Sequence, residues 1–275
     1  MNWPRVLVAV LPLLLGSCLT SALNRSERLN PSGLFEVDSD IARTFDGATI
    51  VLPRPGDEPL VAGLDEPELW RDAAAALPGP LPTVMYLHGC TGLRNLEPLK
   101  AMARAGYAVI APDSFARRFR PLQCRPSERT GGDNVYVYDF RLAEVSYGLY
   151  RLAELSWVDR RRLVLMGVSE GGVAAALYRG DEFRGRIIAQ WTCHGRPFVR
   201  GLAAGPDEAI LAIVRTDDPW YDSARTKDQA GDCGSFFGSR ANSESLTLKG
   251  EDRHDVFDEP SVVHKLTAFL LRLAQ

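Results

Sequence analysis

The chain has 275 residues, of which 45% are hydrophobic and 24% charged, which suits one large core and excludes a mainly disordered protein. Its formal net charge of −3, with no basic stripe interleaved with aromatic residues, argues against nucleic acid as a partner. The sequence contains neither a zinc-type Cys/His spacing nor a G-x-G-x-x-G string, so no metal and no organic cofactor is expected.

The N-terminus has the layout of a secretory signal. Arg5 supplies a positive charge, Val6 to Gly16 form an apolar stretch too short to span a bilayer, and small residues follow, so the chain is expected to be exported. Two processing routes fit. Leu15-Gly16-Ser17-Cys18 resembles a bacterial lipobox, in which residues 1–17 are removed and Cys18 is lipidated, attaching the protein to a membrane. Cleavage after Ala22 would instead release a soluble periplasmic or secreted protein. The lipoprotein is favoured, because a cysteine just past the apolar run is otherwise an exposed thiol. Residues 23–40 read as a tether and residues 41–275 as a single domain.

Within that domain, Ile41 to Leu52 reads as an opening hairpin with its turn at Asp46-Gly47, and the Pro/Gly-rich residues 53–59 lead onward. Glu66 to Leu77 reads as a helix ended by Pro78-Gly79-Pro80. Strand and helix patterns then alternate: strand Val84–Leu87, helix Leu93–Ala105, strand Val109–Ala111, helix Tyr138–Leu155, strand Leu163–Met166 and helix Gly171–Tyr178. Strands Ile187–Gln190, Ile210–Val214 and Leu246–Leu248 and helix Ser261–Leu273 complete the series. This order predicts an α/β protein with a mostly parallel central sheet flanked by helices, whose site lies beyond the strand C-termini.

Gly167-Val168-Ser169-Glu170-Gly171-Gly172 joins an apolar strand to a small-residue helix. A reversal this sharp leaves no room for a Cβ two positions either side of the serine, so glycine is needed there. Ser169 is thereby presented at a helix N-terminus, where free N–H groups and the positive dipole end favour a developing anion. A hydroxyl is a weak nucleophile and needs a base, which in turn needs an orienting acid. After Ser169 come the strand Ala209–Val214 with Asp217-Asp218-Pro219 at its end, and the strand Ser245–Lys249 with His254 past its end. Pro219 and the count from the strand end favour Asp218 over Asp217 as the acid. His88 and His194 precede the acid and His264 falls in the last helix, which leaves His254 as the base. Strand Thr83–Leu87 runs into His88-Gly89-Cys90-Thr91-Gly92, a glycine-bearing turn whose Cys90 N–H, with that of Glu170, could hold an oxyanion. Trp191, Trp220 and Tyr221, with the loops 117–133 and 220–239, are candidates to shape a pocket.

Taken together, Leu87 to Leu93, Gly106 to Arg117, the Gly167 to Gly172 elbow and His254-Asp255-Val256-Phe257 resemble the dienelactone hydrolase-like branch of the α/β-hydrolases, from about Pro82 to the C-terminus. The resemblance implies the α/β-hydrolase fold, Ser169 as nucleophile, Asp218 as acid and His254 as base. It matches Arg117 to an arginine that holds a substrate carboxylate. The branch's cysteine nucleophile is replaced by Ser169, its oxyanion-turn glutamate by His88-Gly89, and its second carboxylate-binding arginine falls near Asp258. A serine triad suits ordinary carboxylic esters or lactones as small-molecule substrates, and Arg117, Arg118 and Arg120 leave room for an anionic group. The same residues would serve an acyltransferase or peptidase, and the fold could equally persist as a non-catalytic envelope binding protein.

Export gives the cysteines a meaning. Setting Cys18 aside leaves four of the five, an even number in an oxidising compartment with three connectivities. Each falls after a strand at the expected site edge, which predicts Cys90–Cys124 and Cys193–Cys233.

Overall fold

The computed structural model describes residues 39–274, with 133 and 251 excepted. The expected signal, the Cys18 lipidation and nearly all of the tether lie outside the described residues. Helix α1 (Asp40–Asp46) is capped by Ser39, whose Oγ accepts from the Ala42 N–H at 3.3 Å. The expected hairpin turn at Asp46-Gly47 is therefore a helix end. Asp40, placed in the tether by the sequence, accepts from the Arg118 N–H at 2.7 Å. The hairpin lies one element later, pairing β1 (Thr49–Leu52) with β2 (Leu60–Gly63) from Thr49↔Gly63 to Leu52↔Leu60. Ile41 to Phe45 misleads because its apolar and polar residues fit both a strand and a short helix. The cap and the burial of Ala42, Thr44 and Phe45 against the rest of the fold decide it.

Helix α2 (Pro67–Ala75) and strand β3 (Leu81–Leu87) follow, then α3 (Glu97–Arg104) and β4 (Ala108–Ala111). Helix α3 starts four residues later than its apolar pattern suggests, with Pro98 in its first turn, where its missing N–H costs nothing. A small antiparallel pair, β5 (Cys124–Arg125) and β6 (Thr130–Gly131), stands apart from the main sheet. The rest is α4 (Tyr136–Leu152), β7 (Val158–Val168), α5 (Glu170–Leu177), β8 (Phe183–Ala189), β9 (Ala209–Arg215), β10 (Glu244–Leu248) and α6 (Pro260–Leu273).

Among the described residues one eight-stranded sheet runs β10-β9-β8-β7-β3-β4-β1-β2. The six strands from β10 to β4 are parallel, while β1 is antiparallel to both β4 and β2. Period-two alternation divides the core in two. Val84 and Tyr86 of β3 and Val164, Met166 and Val168 of β7 pack with Leu99, Met102, Leu266 and Phe269 of α3 and α6. Met85, Leu87, Leu163 and Leu165 face the opposite way, onto Phe45, Val145, Leu152 and Ala174 of α1, α4 and α5. Strands β4 and β9 and the second half of β7 are covered on both faces and read as continuous apolar runs, whereas edge strand β10 is only partly buried and alternates. The loops at their C-terminal ends are left free to carry chemistry.

Candidate active site

Strand β7 ends at Val168, and Ser169 takes φ 54° and ψ −114°, a region that non-glycine residues occupy only when the surroundings force it. Those surroundings are close-packed backbone. A Cβ on Gly167 would lie 2.0 Å from the Gly171 carbonyl oxygen, and one on Gly171 would lie 2.1 Å from that of Leu87. Both glycines are thus required where the sequence places them. Glu170 opens α5, so its N–H has no acceptor within the helix.

The strand ends bring three distant side chains together. His254 Nε2 lies 2.9 Å from Ser169 Oγ, and His254 Nδ1 lies 2.6 Å from Asp218 Oδ2. A carboxylate only accepts, so Nδ1 carries the hydrogen and Nε2 is left to accept from the serine hydroxyl. Asp218 is 3% exposed and its second oxygen accepts from the Trp220 N–H at 3.0 Å, which fixes the carboxylate plane. Asp217, the alternative acid, is exposed and accepts instead from the Gly250 N–H at 3.3 Å. Trp220 lies against the imidazole, with ring centroids 5.3 Å apart. Burial, with the Asp218 charge adding to it, pushes the neighbouring Tyr221 hydroxyl well above its ordinary pKa.

Two buried groups with no signal in the sequence hold the His254 loop. Arg215, at the end of β9, donates to the Asp255 carbonyl at 2.7 Å and to Asp258 Oδ1 at 2.8 Å. Gln190, after β8, donates to Asp255 Oδ1 at 3.1 Å.

On the other side of the serine, the turn after β3 approaches so closely that a Cβ on Gly89 would lie 3.5 Å from that of Ser169. The Gly89 carbonyl is held by His88 Nδ1 at 2.7 Å and by the Gly92 N–H at 3.1 Å. In a trans peptide the next N–H, that of Cys90, points the opposite way. His88 is buried and accepts at Nε2 from the Ser114 N–H at 3.0 Å, so it is a neutral imidazole fixed in one tautomer. Burial and the nearby Arg141 guanidinium lower its pKa, outweighing Asp113, whose carboxylate lies 3.6 Å away. Sequence reasoning set His88 aside as a base, and the structure places it beneath the turn, holding the Gly89 carbonyl.

Behind this turn lies a buried group of ions. Arg141 and Glu144, three residues apart on α4, pair at 2.9 Å with both side chains inaccessible to solvent. Glu144 also accepts from Arg117 at 2.9 Å and from Ser114 Oγ at 2.8 Å, while Arg120 pairs with Glu170. Arg117, expected to meet a substrate carboxylate, is therefore engaged elsewhere. Its guanidinium is nearly buried between Glu144 and Asp40, and it does not line the clefts at Ser169. The loop Ser114–Ala116 turns it back onto α4, a tertiary contact that no local pattern announces. Burial raises the Glu170 pKa above the usual carboxylate value, outweighing the opposing pull of Arg141 and Arg120.

Two hollows meet at Ser169 and His254. A tight one of about 80 Å³ is lined by Gln123, Tyr138, Glu170, Val173, Trp191 and Tyr221 among others. A wider one of about 270 Å³ runs past Thr91, Arg94, Asn95, Pro126 and Phe257. Cys90, Ser169, Gln190, Trp220 and His254 belong to both. The expected aromatic lining by Trp191, Trp220 and Tyr221 is present. Both expected disulfides, Cys90–Cys124 and Cys193–Cys233, are formed. The first ties the oxyanion-turn candidate to the β5–β6 pair, whose residues wall the tight cleft.

The sheet order, the elbow after β7 and a solved structure that superposes on this chain identify the architecture. The chain has the α/β-hydrolase fold. No family model matches the sequence, and no curated protein does. Among solved structures, it resembles a dienelactone hydrolase-like promiscuous phosphotriesterase from metagenomic libraries, at TM-score 0.52 and 15% identity over 82% of this chain and 97% of that one. An esterase from the archaeon Pyrobaculum calidifontis matches at TM-score 0.48 and 14% identity, over 94% of this chain and 93% of that one. A Bacillus cereus carboxylesterase gives TM-score 0.47 and 18% identity, over 70% of this chain and 88% of its own.

Proposed function

We propose that this protein is an exported serine hydrolase of the dienelactone hydrolase-like kind, cleaving a carboxylic ester or lactone through an acyl-enzyme. The observation that carries the reading is the unbroken line from Asp218 through His254 to Ser169, with links of 2.6 and 2.9 Å. His254 takes the Ser169 proton as Oγ attacks the carbonyl, and Asp218 steadies the imidazolium. The tetrahedral oxygen then rests on the N–H groups of Cys90 and Glu170. His254 returns the proton to the departing alkoxide, and the same base activates water to release the acid.

Export is supported by the signal-like N-terminus and by the two disulfides, which suit an oxidising compartment. Mass spectrometry of the mature N-terminus tests it: a lipidated Cys18 supports anchoring, and an unmodified chain starting at Leu23 supports release. The activity is tested with short p-nitrophenyl esters and a fluorophosphonate probe. The wild type should turn over the esters and be labelled, while Ser169→Ala should lose the label and at least about 10⁴-fold in kcat/KM. Turnover retained by Ser169→Ala would overturn the assignment.

A further inference from the structure

Nine large apolar side chains are exposed among the described residues, and five of them, Phe115, Phe119, Leu122, Val135 and Tyr136, fall between positions 115 and 136. Phe119 and Leu122 are each 72% exposed and Tyr136 69%, so the core does not hold them. Contacts at two points bring the loop 117–122 and the start of α4 together. The Arg117 guanidinium lies over the Phe140 ring at 5.0 Å, and Tyr136 is one helical turn before Phe140 on α4. Gln123 Oε1 accepts from the Asn134 N–H at 3.2 Å, which draws their chain neighbours Leu122 and Val135 toward each other. The loop is thus fastened to α4 on both sides of Phe119 and Leu122, and the exposed side chains form one apolar rim. Exposed apolar side chains gathered in this way mark a contact surface, whereas scattered ones do not.

The place where the chain enters the domain says what this rim meets. Asp40 accepts from the Arg118 N–H at 2.7 Å and from Arg117 Nη1 at 3.4 Å, and Arg43 donates to the Ala116 carbonyl at 2.9 Å. Helix α1 therefore starts beside Phe119, and Cys18 lies only 21 residues before Ser39. A stretch of that length reaches at most about 75 Å, so a lipid on Cys18 holds the rim close to a bilayer. Contact with that bilayer is then intramolecular, and even weak apolar insertion suffices. The residue types fit: Phe119 and Leu122 suit the acyl boundary, and Tyr136 suits the headgroup level, where its ring is covered and its hydroxyl stays wet. Four side chains are far fewer than the roughly 20–30 residues a side of a stable protein interface, which argues against a second copy. The rim also flanks the site, because Cys124, Gly131 and Gly132, between Leu122 and Val135 in the chain, line the tight cleft with Ser169.

We propose that Phe119, Leu122, Val135 and Tyr136 form a bilayer-docking face, which sets the mouth of the tight cleft at the surface of the membrane that holds the anchor. The proposal rests on the export and Cys18 lipidation in the reading above. Its test uses the exported, processed chain carrying Cys18→Ser, which holds no lipid, so that the protein surface alone can bind. That chain should sediment with vesicles of phosphatidylethanolamine and phosphatidylglycerol at millimolar lipid. Phe119→Ser combined with Leu122→Ser should lower the partition coefficient at least about tenfold. Leu271→Ser removes a side chain that is 52% exposed on α6, across the sheet from α1 and α4, and should leave binding unchanged. Apolar insertion resists screening, so about 0.5 M salt should change the partition less than about twofold. Thermal unfolding of the variants should match that of the parent, since both sites are exposed.

No vesicle binding by the parent chain, an equal loss in Leu271→Ser, or binding abolished by salt would overturn the docking face. So would a concentration-dependent dimer in light scattering that the double variant abolishes, which would assign the rim to a second copy. The two readings fail separately. An unlipidated mature N-terminus alongside rim-dependent vesicle binding would overturn the anchor alone, and a lipidated N-terminus alongside binding untouched by the double variant would overturn the docking face alone.

Discussion

The two disulfides join cysteines 34 and 40 residues apart, so the loop-closure entropy they remove from the unfolded chain is nearly equal, about 4 kcal/mol each and differing by about 0.1 kcal/mol. Their surroundings differ. Cys90 and Cys124 line the cleft at Ser169, and Cys90 is partly open to solvent. Cys193 and Cys233 are both fully buried, packed with Trp191, Val199 and Phe237 in an apolar cluster beside the sheet. One cross-link supports the candidate active site and the other supports a core. With the entropic part matched, the difference in effect between them measures location.

The largest effect at the cleft is expected from Asp218→Asn, which should lower kcat by about 10⁴-fold by removing the charge that sets the His254 tautomer. Asp217→Asn should leave kcat unchanged, since that carboxylate bonds only to exposed partners. A large loss in Asp217→Asn would show that the loop itself, and not the Asp218 contact, carries the effect. Replacing Cys193 and Cys233 together by alanine should cost about 3–5 kcal/mol in denaturant unfolding, with turnover per labelled site nearly preserved. Replacing Cys90 and Cys124 by alanine should show the converse emphasis. Turnover per labelled site should fall about 10–100-fold as the Cys90 N–H loses its fixed place, with a smaller stability loss than the core pair. Equal losses of turnover in the two double variants would break the comparison.

The smallest expected effect concerns pH. The His88 pKa is lowered in the folded protein, so between its ordinary value of about 6.5 and the lower folded value the unfolded chain binds more protons. Stability therefore falls as pH drops through that window. Thermal unfolding at pH 7.5 and 5.5 should show a smaller acid loss for His88→Gln than for the wild type. An equal loss would show that His88 is not held neutral by its burial.

Much of the site was legible because its local requirements are strict. The glycines at 167 and 171 are spaced as the elbow demands, and the order of Ser169, acid and His254 along successive strand ends is visible in the apolar runs that precede them. The central parallel strands β4 and β9 are equally plain, since coverage on both faces makes them continuously apolar. Where several structures satisfy the same local pattern, the sequence was ambiguous: residues 41–46 fit a strand or a helix, and either of two adjacent aspartates fits the acid.

The sequence by itself thus determined the alternation of strands and helices, the elbow at Ser169, which histidine is the candidate base and the pairing expected of four cysteines, because each depends on periodicity, chain order or residue chemistry. Only the tertiary structure decided that Asp218 and not Asp217 faces His254, and that Arg117 is tied to Glu144 and Asp40 instead of lining the cleft. It alone shows His88 as a neutral support for the Gly89–Cys90 peptide and fastens the loop 117–122 to α1 and α4. The reason is physical: hydrogen-bond partners and buried charge pairs are chosen among groups tens of residues apart, and that choice is made by the packing of whole elements.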